Sequence, residues 1–192
     1  MEADWSIEIG PDLPWIDASW PGFLDLEASP HAINTLPEPA KHPALREALL
    51  SVNGPTSPLY TSKCDAWPLN DPVIDPDEFS AHPQDATIGF AAYIDLLDRD
   101  PARFSSFTVV EQYVRKLTAR LRQLSLTHSR IDSVVRRATT KRLQSAIVDG
   151  YGITLYVAAC GPNCVAAYAA WQTALTAAVA ATIAVAGSRM GE

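Results

Sequence analysis

Residues 150–188 read GYGITLYVAACGPNCVAAYAAWQTALTAAVAATIAVAGS, thirty-nine positions without one charged side chain between Asp149 and Arg189. The first part alternates: Tyr151, Ile153, Leu155, Val157 and Ala159 fall on one side, and Gly152, Thr154, Tyr156 and Ala158 on the other. A period of two is the spacing of a strand. After Gly161-Pro162 the composition turns to helix-favouring alanine and continues to Gly187. Proline's fixed φ and missing N–H suit a first helical position, and glycine suits a C-terminal stop. At 100° per residue, Val165, Tyr168, Trp171, Leu175, Val179 and Ile183 lie within about 120°, the width of one core-facing stripe. This segment therefore reads as an inner strand and the helix that seals it.

The opposite face of that helix is small and uncharged: Ala166, Ala170, Thr173, Ala174, Ala177, Ala181 and Ala184. It admits three readings. Exposed alanine is ordinary in a protein of GC-rich bacterial coding sequence; two such faces can pack back to back across a two-fold axis; or the helix is a membrane anchor. Alanine's weak hydrophobicity, Gln172 and a preceding strand that needs cover argue against the anchor.

The 192 residues suit a single domain covering 1–192, with an organised sequence on either side of residue 88. Residues 1–88 are proline-rich and acidic, whereas 89–192 are regular and basic to uncharged. Thirteen of the fifteen prolines precede residue 84. The net charge of −7 divides unevenly: residues 1–100 hold eighteen acids against four bases, and 101–192 hold four acids against eleven bases. The two parts are expected to attract one another. The N-terminal residues show neither a basic nor an apolar leader pattern, and three cysteines form no disulfide framework, so a cytoplasmic location is expected.

Further strands are expected at 5–9, 23–26, 60–67, 89–97 and 128–138, and helices at 44–51 and 101–124. The order is strand, strand, helix, three times over. The fold expected from it is α+β: a mainly antiparallel, curved, six-stranded sheet with three helices on one face.

With helices on one face, polar side chains gather on the other. Strand 60–67 is expected to turn Lys63, Asp65 and Trp67 to that face and Tyr60, Ser62, Cys64 and Ala66 away. Strand 89–97 adds Tyr93 and Asp95, and strand 151–160 adds Thr154 and Tyr156. Two carboxylates beside a lysine suit acid–base chemistry, so Asp65, Asp95, Lys63 and Tyr93 are the catalytic candidates; a solvated face with cross-strand pairs explains the same pattern. Trp15, Trp20, Trp67 and Tyr156 are candidate binding residues. Cys160 and Cys164 flank a helix start, where the dipole favours a thiolate, but three intervening residues do not reproduce a CxxC redox pair.

Histidines 31, 42, 82 and 128 are isolated and expected at the surface. No zinc spacing, P-loop, GxSxG or GxGxxG occurs, so no metal or cofactor is expected. Arg136, Arg137, Lys141 and Arg142 make a basic loop, yet the basic charges spread around their helix and the whole chain is acidic. Nucleic acid is therefore not an expected partner. The reading that remains is a binding protein without catalysis, joined to itself or to another protein through exposed aromatics and acids. The alternative is a small enzyme or ligand-binding domain that uses the open sheet face.

Overall fold

The alternation at 151–160 belongs to the strand next to the middle of the sheet, and its neighbours come from distant parts of the chain. In chain order the elements are β1 (Glu2–Glu8), β2 (Ile16–Ala18), α1 (Pro37–Lys41), α2 (Pro43–Val52), β3 (Leu59–Leu69), β4 (Ile88–Asp98), α3 (Pro101–Phe104), α4 (Phe107–Leu121), β5 (Ser129–Thr140), β6 (Val148–Gly161) and α5 (Cys164–Gly187). Short 3-10 turns stand at Pro30–Thr35, Pro76–Phe79 and Pro83–Asp85. The computed structural model describes residues 1–69, 74–141 and 146–188. Asp71 of the acidic loop and Arg142 of the basic loop lie outside the described residues.

The fold is α+β, with a six-stranded mixed sheet that does not close on itself. Its order is β1-β5-β6-β4-β3, and β2 continues the β1 edge along β5. The pairs β3–β4, β4–β6 and β5–β6 are antiparallel. Both β1 and β2 run parallel to β5, Glu2 opposite Arg130 and Ile16 opposite Ala138. The mainly antiparallel sheet expected from the sequence is thus mixed at its β1–β2 edge, where neither strand pairs with the other. Alternation identifies a strand, but it carries no information about the partner. The second strand is also displaced: 23–26 is not a strand but follows a turn in which Phe23 N–H donates to the Trp20 carbonyl at 3.0 Å, and the strand is Ile16–Ala18.

One hydrophobic core joins Ala92, Ile94 and Leu96 of β4, Ile131 and Val135 of β5, and Ile153, Leu155 and Val157 of β6 to side chains of α2, α4 and α5. Those helices contribute Leu45 and Leu49, Val114 and Leu117, and Trp171 and Leu175 respectively, all essentially inaccessible to solvent. The continuous helix expected over 101–124 is interrupted. Ser106 caps α4 by accepting from Val109 N–H, and α3 ends two residues earlier. Phe104 of α3 packs on the other side of the sheet, within the van der Waals envelope that a Cβ on Gly150 would occupy. The α3 turn therefore does not join the helix layer. Three helices on a single face was too simple a description.

Helix α5 begins at Cys164, not Pro162, because Asn163 is the cap: its side-chain oxygen accepts from Ala166 N–H at 3.0 Å. Its buried arc differs from the one drawn through its largest side chains. Val165 is 81 % exposed, whereas Ala174 and Ala178 are fully buried and Ala181 nearly so. Small side chains let α5 lie close to β6 and α2, and the helix is turned by roughly 60° from the expected stripe. The face expected to be free is thereby divided: Thr173 and Ala184 are exposed, and Ala174 is in the core.

Candidate functional site

β-Strand alternation assigns Asp95, Thr154, Tyr156, Tyr93, Arg136 and Asp132 to the face opposite the helices. Two segments of the chain cover the ends of this face. At one end Ile16 and Ala18 of β2 pack with Tyr60, Leu97, Phe104 and Ala138 in a second hydrophobic cluster. Gly152 lies beneath it, since a Cβ there would meet Ile16 at 2.8 Å and the Leu96 carbonyl oxygen at 2.9 Å. At the other end Phe79 and Ala86, from the segment after residue 74, pack on Cys160 and Ala158. Arg130 and Glu78 form an ion pair at 2.8 Å that ties this cover to β5. Between the covers a polar trough crosses the strands from β1 to β3.

Rings line its floor. Trp67 and Tyr93 have centroids 6.2 Å apart, Tyr93 and Tyr156 6.0 Å, and the Arg136 guanidinium stands 5.8 Å over Tyr156. The register produces this row directly, because Tyr93 pairs with Tyr156 on one side and with Asp65 on the other. Arg136 is held in place by Glu8 at 2.8 Å and Tyr156 Oη at 3.3 Å. Arg130 is held by Asp132 at 2.6 Å. A cavity of about 380 Å³ at the β1–β5 end is bounded by Asp4, Glu8, Arg130, Asp132, Arg136 and Tyr156.

Asp95 lies deepest in the floor, 6 % exposed, and accepts from the Thr154 hydroxyl at 2.6 Å. Burial pushes its carboxyl above the usual range, against the Thr154 hydrogen bond and the positive charges of Arg136 and Lys63. The Tyr93 hydroxyl is pushed up to about 12 by burial first, and then by Asp95 and Asp65. Burial favours the neutral form of both groups, and Tyr93 keeps its hydroxyl proton at neutral pH.

Of the expected catalytic residues, Lys63, Asp65, Tyr93 and Asp95 all reach this side of the sheet, but Asp65 faces Tyr93 across the strand pair and is only a diagonal neighbour of Asp95. A register shift between Thr61 and Cys64 explains why β3 was misjudged in part. A bulge changes the phase of the pleat. Tyr60 therefore packs against Leu97 on the trough side, while Cys64 and Ala66 join the helix-side core. Trp20 stands beside the same edge, its ring 5.6 Å from Lys63 Nζ. Trp15 is 59 % exposed and bounds a separate depression with Arg137 and Asp149.

The two cysteines at the β6–α5 turn differ in environment. Cys160 is buried under Phe79 and its thiol is pushed up to about 11, chiefly by burial; Cys164 is exposed at the start of α5, and both are free. His42, expected at the surface, is half-buried among Phe90, Tyr168 and Trp171, with Nδ1 3.2 Å from the Tyr168 hydroxyl oxygen. Desolvation lowers its pKa. Sequence spacing gave no sign of this cluster, because its members come from three separate elements. Among the described residues no group of three or more His, Cys, Asp or Glu side chains could hold a metal ion. α5 is long and apolar enough to cross a membrane, and 44 % of its most apolar window is buried within the fold.

No protein-family model, no curated protein and no solved structure matches this chain.

Proposed function

We propose that this protein acts by binding a segment of another protein in the trough between the β2 cover and the Phe79 cover, without catalysis. The observation that carries the reading is the row Trp67–Tyr93–Tyr156–Arg136, held at 6.2, 6.0 and 5.8 Å across four strands. Aromatic and arginine side chains on a rigid, partly desolvated floor are the composition of an interface centre. A trough that crosses several strands suits an extended segment. The two arginines of the floor already have carboxylate partners, Arg130 two of them in Asp132 and Glu78, which together with Asp65 give the surface a negative balance. The partner segment accordingly combines lysine or arginine with apolar residues.

Selection from a random peptide library on immobilised protein tests this. Enriched peptides are expected to be basic and to contain aromatic or aliphatic residues, and enrichment should vanish with a Tyr156→Ala, Trp67→Ala double variant whose melting temperature is close to that of the parent. Equal enrichment on parent and variant would overturn the proposal. A second reading, acid–base chemistry or ligand binding on the same face, is favoured by the burial that raises the Asp95 carboxyl above its usual range. An activity that survives Asp95→Asn and Asp65→Asn together would exclude it.

A further inference from the structure

The trough ends, on the β3 side, at a cavity that the binding proposal does not use. It has a volume of about 260 Å³ and lies between the Trp20–Leu26 turn and the bulge of β3. Its wall is mostly apolar, formed by Leu26, Leu36 and Leu49 with Trp20 as the outer side. Small-ligand sites generally have such a wall and a few convergent polar groups. Here those are Lys63, Glu38 and Tyr93. None of the three makes a side-chain hydrogen bond or ion pair with another described residue. The other polar groups of the wall are already occupied: Thr61 Oγ1 accepts from Asn53 at 2.8 Å, and Ser62 Oγ donates to the Asp17 carbonyl at 3.0 Å.

The outer side is positioned by the chain. Phe23 N–H closes a turn onto the Trp20 carbonyl at 3.0 Å, and the indole folds over Gly22, where an added Cβ would lie 1.9 Å from the ring. The ring is thus laid across Lys63, the single cation of the cavity wall among the described residues. Lys63 is exposed, and a lysine set against an aromatic ring can still offer its ammonium group to an anionic partner.

We propose that this cavity is a binding site for a small carboxylate with an apolar body, the carboxylate on Lys63 and the body against Leu26, Leu36 and Leu49. Two sources carry that chemistry, a simple apolar acid and an apolar amino acid, whose ammonium group would meet Glu38. The site meets the trough at Tyr93 but does not rest on the trough proposal.

Isothermal titration with octanoate, octanamide and 2-aminooctanoate tests it. Octanoate is expected to bind the parent protein and to lose about tenfold in affinity with Lys63→Gln, whereas octanamide binds weakly to both. Trp20→Ala should weaken both acids, and Tyr156→Ala, in the trough, should leave them unchanged. Tighter binding of 2-aminooctanoate, reversed by Glu38→Gln, identifies amino acids as the source; tighter octanoate identifies simple acids. Octanamide binding as well as octanoate, or affinity unmoved by Lys63→Gln in a protein with parental melting temperature, would overturn the proposal. So would an absence of binding by both acids at low ionic strength.

Discussion

Asp95 is the residue at which burial and charge oppose each other most directly. Its carboxyl is raised by desolvation, so the folded state holds its proton more tightly than the unfolded chain does. The resulting contribution to stability is fully present below the ordinary carboxylate value of 3.8 and is lost as pH rises through the folded value. Asp98 and Asp132 are raised by burial as well and add to the same trend. Asn at position 95 can still accept from Thr154 but does not ionise. Asp95→Asn is therefore expected to gain stability relative to the parent as pH rises from 3.8, and chemical denaturation at a series of pH values should record a difference that grows and then levels off. A constant difference across that range would show that Asp95 does not titrate differently on folding.

The thiols give a second test at this scale. Cys64 is pushed up to about 12 and Cys160 to about 11, in both cases chiefly by burial, and Cys164 alone is exposed. A thiol reagent at pH 8 should modify Cys164 quickly and the other two at the rate of unfolding. Two fast thiols would restore the redox reading. The polar side of the sheet was legible from alternation alone, since Asp95, Tyr93, Thr154 and Tyr156 fall where period two assigns them. The phase of β3 before the bulge was not: Tyr60, expected on the helix side, packs with Leu97 on the other, because a bulge inserts an extra residue without a sequence signal of its own.

Among the elements, α5 tests how far the core depends on one side chain. Trp171 is fully buried, with ring centroids 4.7 Å from Phe90, 5.3 Å from Tyr168 and 5.9 Å from His42, and its indole N–H has no hydrogen-bond partner among the described residues. Trp171→Ala is expected to cost about 3–5 kcal/mol, the range for deleting a buried aromatic ring. Trp171→Phe retains the ring stack and removes an unpaired donor, so it should cost much less. Equal losses in urea denaturation would mean that the indole N–H is satisfied after all. At the start of α4, Ser106→Ala removes the bond to Val109 N–H and should cost about 0.5–2 kcal/mol.

The existence of α2, α4 and α5, and of β3 to β6, was readable from their periodicities. The orientation of α5 was not. A wheel drawn through the largest side chains assumes that volume marks the core, whereas here Ala174 and Ala178 are buried so that the helix can approach the sheet closely. The break between α3 and α4 was also written in the sequence, in the Ser105-Ser106 pair, but proline at 101 drew the helix start to itself. A proline at the first helical position starts α3, and a serine cap starts α4.

At the scale of the molecule, the division of charge between the two parts of the chain becomes a set of contacts. Asp4, Glu8 and Glu78 pair with Arg122, Arg136 and Arg130 at 3.6, 2.8 and 2.8 Å. These pairs are largely at the surface, and each is worth at most about 1 kcal/mol. Raising sodium chloride from 0.05 M to 1 M should therefore lower the stability only modestly, by about 1–2 kcal/mol, as salt screens them. A loss much beyond that would mean that the acidic first part is held on chiefly by charge, rather than by the hydrophobic contacts of Ala3, Ile16 and Ile33.

Because β1 and β2 lie beside β5, each leaves the ribosome more than a hundred residues ahead of its partner. During synthesis the amino-terminal segment must wait, unpaired, while β3 and β4 can already form their hairpin. Its alternating acids, Glu2, Asp4 and Glu8, keep that waiting strand hydrated and discourage premature annealing to neighbouring nascent chains. Closure of the β5 edge is thus a late event, and the rate of productive folding in a cell should respond to how quickly residues 129–140 follow.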